Sequence, residues 1–202
     1  MLDVDDTLIE YVDFDFEEWY RYVAEPVARE MGIPFSIDVW RGIISGRISR
    51  RYSEDFGVPA EEFWRRVDER NLDYRRMMWV EGRIRAYPDT LVLRELPGKK
   101  VAWSTSSEDC IRFVLEKTGL IEYFNLIIGK DYGGYRYIDH VKPSPGLLKL
   151  AIGKMSCDEC VVVGDSQVDM EAAHRAGCRG IRIHREGGGD IKSLWELKNI
   201  LY

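Results

Sequence analysis

The chain predicts an α/β fold: a doubly wound parallel sheet whose first strand is followed by an inserted α-helical cap domain. Three observations carry this. Short apolar runs such as "VAW", "LIIG" and "VVVG" alternate with helix-length segments toward the C-terminus, the pattern of a parallel sheet covered on both faces. A stretch of about 75 residues after the first apolar run has almost wholly helical spacing. Glycine and proline stand where those helices should stop.

The elements follow in order. "MLDV" opens a strand and a polar turn follows it. "FDFEEWYRYVAEPVAREMG" reads as a helix stopped at Gly32, with Pro34 beyond. "SIDVWRGIISGRISRRYSEDFG" is amphipathic, interrupted at Gly46 and ended at Gly57. "VPAEEFWRRVDERNLDYRRMMW" places Phe63, Val67, Leu72 and Met78 on roughly one face, with Pro59 near its start. "YPDTLVLREL" reads as a helix begun near Pro88. Strands are expected at "KKVAWS", "NLIIG", "CVVVGD" and "RGIRIH", with helices at "EDCIRFVLEKTG", "SPGLLKLAIGK", "DMEAAHRAG" and "DIKSLWELKNIL". Asp190 is the expected N-cap of the last helix. The division expected is a core of residues 1–12 and 87–202 and a helical domain of residues 13–86.

Composition narrows the class. The 202 residues are 45% hydrophobic with a net charge of −6, enough for a packed core and too acidic for nucleic acid as the main partner. No apolar run approaches a membrane span. No leader is visible, so the cytoplasm is the expected location. Four cysteines do not make a disulfide scaffold. Cys157 and Cys160, a single C-x-x-C with two ligands, read as structural cysteines, and Cys110 and Cys178 as packing positions.

In a doubly wound sheet, ligands gather beyond the carboxyl ends of the strands. Asp3, Asp5 and Thr7 follow the first expected strand, and Ser104, Thr105 and Ser106 the second. Lys142 precedes the helix after the third, and Asp165 and Asp169 follow the fourth. By itself, the crowding of Asp3, Asp5 and Asp6 reads as a solvated turn. With the other strand ends it reads as a cation and phosphate site. Asp3 and Asp165 suit a hard cation such as Mg²⁺. A hydroxyl, backbone N–H groups and Lys142 suit phosphate oxygens.

These residues resemble the four motifs of the haloacid dehalogenase-like phosphohydrolases, over nearly the whole chain. Asp3-Val4-Asp5-Asp6-Thr7 is similar to their Asp-x-Asp-x-Thr motif, and Thr105 to their Ser or Thr motif. Lys142-Pro143-Ser144-Pro145 resembles their lysine motif, and "VVVGDSQVDMEAAHRAG" their acidic one. The helical insert resembles the cap of the phosphoglycolate phosphatase and β-phosphoglucomutase branch. The resemblance implies a Rossmann-like core and a Mg²⁺-dependent phosphatase of small phosphorylated metabolites. Asp3 would be the nucleophile that forms an aspartyl-phosphate, and Asp5 the acid and base. Thr105, Ser106 and Lys142 would hold the phosphoryl group. Asp3, the Asp5 carbonyl and Asp165 would bind Mg²⁺, with Thr7 and Asp169 in support. A phosphomutase and an inactive relative serving protein binding or regulation are the alternatives.

Two departures stand out. Asp6 occupies a position where the family commonly has glycine, and only Met1 and Leu2 precede Asp3, so a few upstream residues are expected. In "SGRISRRY" the resemblance implies one cap arginine that grips a second anionic group of the substrate, with Arg47 and Arg50 competing for the role. The bland alternative is a basic, solvated face.

Overall fold

Walking along the chain of the computed structural model, which describes residues 1–132, 137–157 and 159–201, the first element is β1 (Leu2–Asp3), followed by β2 (Ile9–Tyr11). Helices α1 (Phe16–Trp19) and α2 (Glu25–Glu30) are joined by a π-helical stretch, Tyr20–Ala24. Pro26 explains the widened ladder, because its nitrogen cannot donate the bond an α-helix needs there. Next come α3 (Ile37–Ile44), capped by Ser36, and α4 (Ala60–Val80). The chain returns through β3 (Ile84–Ala86), which pairs antiparallel with β2. β2 lies just before the expected helical block of residues 13–86, and β3 takes up its last residues. Each is three residues long, too short to show an alternating pattern.

The second half alternates as expected: β4 (Val101–Ser107), α5 (Glu108–Lys117), β5 (Leu126–Lys130), α6 (Gly146–Met155), β6 (Val161–Gly164), α7 (Gln167–Ala176), β7 (Arg179–Arg182) and α8 (Leu197–Leu201). Pro88–Arg94 is a 3-10 helix rather than an α-helix. Ser193, not Asp190, caps the 3-10 turn Leu194–Glu196 that leads into α8, through a capping box with Glu196. The Asp190 carboxylate instead accepts from the Arg182 N–H at 2.7 Å.

The main sheet runs β5-β4-β1-β6-β7, with parallel pairing throughout. Its chain order reverses at β1, flanked by β4 on one side and β6 on the other. Successive residues face opposite sides. Val101 and Trp103 pack in one apolar cluster and Ala102 in the other; Val162 and Val163 divide the same way. Both faces are therefore covered, which is why the strands read as continuous apolar runs.

The cysteines correct the sequence reading. Cys160 and Cys178 form a disulfide, while Cys110 and Cys157 are free thiols. The cause is register. Val161 lies opposite Arg179 in the β6–β7 pair, so the residues one step earlier on each strand stand side by side.

Candidate active site

The parallel register brings the ends of β1, β4 and β6 together at one edge of the sheet. Asp3 closes β1 and is buried, as are Lys142 and Asp169. The Lys142 ammonium pairs with Asp3 and, at 2.5 Å, with Asp169 Oδ1. The other Asp169 oxygen accepts from the Ser166 N–H at 3.0 Å and the Ser166 hydroxyl at 2.5 Å, so Asp169 fixes both the turn after β6 and the lysine. Gly164 permits this. A Cβ there would lie 2.5 Å from the Asp169 carboxyl carbon. Asp165 is half-buried and accepts from the Thr7 hydroxyl at 3.5 Å. Lys142 also sits 4.1 Å from the centre of the Trp103 ring.

One oxygen from each of Asp3, Asp165 and Asp169 falls within 4.8 Å of the others. Burial pushes the Asp3 carboxyl well above the usual range. Lys142 opposes that shift, and repulsion from Asp169, Asp5 and Asp165 adds to it. Burial likewise raises Asp165, followed by repulsion from Asp169. Burial alone would lower Lys142, but Asp3 and Asp169 more than offset it and hold it above the usual lysine range. Three acids against one base leave negative charge in a buried place, and oxygen donors this close fit a hard divalent cation.

Asp5 belongs to a different constellation. Both of its oxygens lie about 3 Å from Arg75 Nη2, at 3.0 and 3.1 Å. The hydroxyls of Tyr11, Ser104 and Ser106 donate to it at 2.5, 3.0 and 3.1 Å. Burial would raise the Asp5 carboxyl, but Arg75 and these hydrogen bonds outweigh it and leave it below the ordinary value. Ser106, expected at the phosphate, also receives a hydrogen bond from Arg75 at 2.8 Å. Thr105 lies within β4, not after it, and lines the cavity beside Asp5. Asp6 takes the left-handed conformation with φ of 60°, which explains how it stands where glycine is common.

The site opens into a cavity of about 420 Å³ between the sheet edge and the helical insert. The two candidate arginines part here. Arg50 lines the cavity, and its guanidinium donates to the Lys142 carbonyl at 3.4 Å. Arg47 is exposed and donates to the Ser45 hydroxyl at 3.1 Å. Arg51 is engaged with Glu54, Glu61 and Asp139.

The chain's own residues supply groups that sequence reasoning missed. Arg75 lies on the buried stripe of α4 one turn from Asn71, so a charged residue in an apolar stripe was the available signal. Asp68, on the same stripe, pairs with Lys130 at 2.8 Å and accepts from the Tyr132 hydroxyl.

A family model, haloacid dehalogenase-like hydrolase, matches residues 1–177. The chain belongs to this family. A phosphoglycolate phosphatase of Neisseria meningitidis is 34% identical over 116 residues, covering 54% of this chain and 47% of that protein. A phosphoglycolate phosphatase of Pectobacterium atrosepticum is 40% identical over 70 residues, 34% of this chain and 28% of that protein. The chain thus spans about half the length, or less, of these curated relatives. Among solved structures, a haloacid dehalogenase-like phosphatase of Thermococcus onnurineus shares the fold with a TM-score of 0.56 and 23% identity, covering 99% of this chain and 95% of that one. CbbY of Rhodobacter sphaeroides, in complex with phosphate, shares it with a TM-score of 0.63 and 20% identity, covering 90% and 83%. Among the described residues no helix is long and apolar enough to cross a membrane.

Proposed function

We propose that the chain is a divalent-metal-dependent phosphatase of small phosphorylated metabolites, working through an aspartyl-phosphate on Asp3. The observation that carries the reading is the buried Asp3, paired with Lys142 and clustered with Asp165 and Asp169 at the floor of a cavity. Phosphatases among the partial relatives support it. In this reading residues 13–86 form a cap domain over a core of residues 1–12 and 87–202.

Asp3 attacks the phosphorus, and the leaving alkoxide takes a proton from Asp5 or from solvent. Lys142 and Thr105 hold the phosphoryl oxygens, and Asp5 then acts as base toward the water that releases phosphate. Asp5 enters this work only when one of its four donors, Arg75, Tyr11, Ser104 or Ser106, lets go. Asp3, Asp165 and Asp169 have the donor set for Mg²⁺, which when bound neutralises charge on the phosphoryl group. Arg50 grips a second anionic group of the substrate, because a planar guanidinium in a partly dry cavity binds a carboxylate or phosphate with two hydrogen bonds.

Hydrolysis of p-nitrophenyl phosphate with Mg²⁺, and its loss in excess chelator, tests the reading. Asp165→Ala lowers Mg²⁺ affinity and turnover together. Full turnover in chelator would remove the metal from the account, and no turnover with any phosphate ester would favour an inactive relative.

A further inference from the structure

A second cavity, of about 380 Å³, opens off the first beside Asp5, Thr105 and Ser106. Its chemistry differs from that of the Arg50 side. The walls carry Phe14, Phe16, Trp19, Trp40, Ile44 and Met78. The rings form a run, with Phe16 stacked on Trp19 at 6.3 Å and Trp19 on Trp40 at 4.7 Å. The polar side chains among these walls are engaged elsewhere. Asn71 accepts from the Trp19 indole at 2.8 Å, Tyr74 donates to Glu18 at 2.8 Å, and Tyr11 and Arg75 are committed to Asp5. The Trp40 indole N–H is buried without an acceptor among the described residues. Asp6 adds negative charge at the rim.

Among the described residues this annex offers no free cation to a second anion, since Arg75 is bonded to Asp5 and Ser106. It offers flat apolar surface, reached from the place where the phosphoryl group would sit. Two of its large apolar side chains, Phe14 and Ile44, remain 47% and 51% exposed, where a bound apolar group would cover them. We propose that the annex binds an aromatic ring, or a similarly flat apolar group, carried by the phosphorylated ligand on its leaving-group side. The proposal rests on the phosphatase reading for its phosphoryl end and on the annex alone for its ring.

The test compares 2-phenylethyl phosphate with propyl phosphate in the presence of Mg²⁺. Both are esters of primary alcohols, so leaving-group basicity is nearly matched. The kcat/KM ratio is expected to favour the phenyl ester by at least ~10-fold, since ring burial of this kind discriminates strongly. Ile44→Asp or Phe14→Asp, each placing charge at a position that already meets water, should bring the ratio close to one. Binding of the two corresponding phosphonates, followed by tryptophan fluorescence, supplies a readout that needs no turnover. Tighter binding of the phenyl phosphonate, lost in Ile44→Asp, supports the annex even if no ester is hydrolysed; that result removes only the phosphatase reading. Equal kcat/KM for both esters together with equal phosphonate affinities overturns the annex and leaves the phosphatase reading standing.

Discussion

Two buried lysine–aspartate pairs face the same cavity, and they are built differently. Lys130, at the end of β5, meets Asp68 of α4 at 2.8 Å, with its ammonium 5.0 Å from the Trp64 ring centre. That pair is balanced, one base to one acid, and the Tyr132 hydroxyl donates to the same carboxylate. Lys142 meets Asp3 and Asp169, with Asp165 close by. Here one base faces three acids. A balanced pair is complete in itself and ties the helical insert to the sheet. An unbalanced one leaves charge for a proton or a cation from outside to neutralise, which suits a site better than a strut.

The largest effect expected is on chemistry at the unbalanced pair. Asp3→Asn should lower Mg²⁺-dependent hydrolysis of p-nitrophenyl phosphate by at least ~10³-fold, while thermal unfolding shows a protein no less stable, because one repelling charge is gone. Turnover within a few-fold of the parent would end the distinction between the two pairs.

The balanced pair should behave in the opposite sense. Lys130→Met leaves Asp68 buried without its partner and should cost about 3–5 kcal/mol in urea unfolding. Adding Asp68→Leu should recover most of that loss. A Lys130→Met protein of unchanged stability would move Lys130 from the strut to the site.

Arg50→Ala should act between these extremes. Loss of charged hydrogen bonds of about 1.5–3 kcal/mol raises KM roughly 10–150-fold for a substrate with two anionic ends. The same change should leave p-nitrophenyl phosphate almost untouched, since it carries no second anion. Equal losses on both substrates would contradict the assignment.

The smallest effect concerns Asp6. Its carboxyl is raised to about 6 by burial, followed by repulsion from Asp5 and Asp165, although the residue as a whole is exposed. A folded value above the unfolded one means stability is fullest below the unfolded value of 3.8 and is lost as pH rises through about 6. Asp6→Asn should therefore gain more stability at pH 8 than at pH 3, by at most about 1 kcal/mol after solvent screening. Melting temperatures of the metal-free protein at the two pH values decide it; an equal gain at both would trace the effect to backbone conformation alone.

The sheet and its site were legible because both rest on short-range pattern. Asp165 follows "VVVG" and Asp3 closes β1, so strand order and the rule of carboxyl ends bring them together. What was hidden depends on three-dimensional choice. Arg75 and Arg76 are neighbours of one type in "YRRMMW", yet the Arg75 side chain is 7% exposed and that of Arg76 58%; only the apolar stripe separates them. The β2–β3 pair joins segments 75 residues apart at the opposed Glu10 and Arg85, beyond any local periodicity. The Cys160–Cys178 link was missed because Cys157 lies closer in sequence, whereas strand register sets the pairing.

In the proposed reaction Asp3, in the unbalanced cluster, is the nucleophile that takes the phosphoryl group. Rapid acid quench during steady-state turnover with Mg²⁺, followed by peptide mass mapping, tests it most directly. The expected result is a phosphoryl group on the N-terminal peptide, fragmenting to Asp3 and absent from Asp3→Asn. Sustained Mg²⁺-dependent turnover with the phosphoryl group on another residue, or on none, would contradict it.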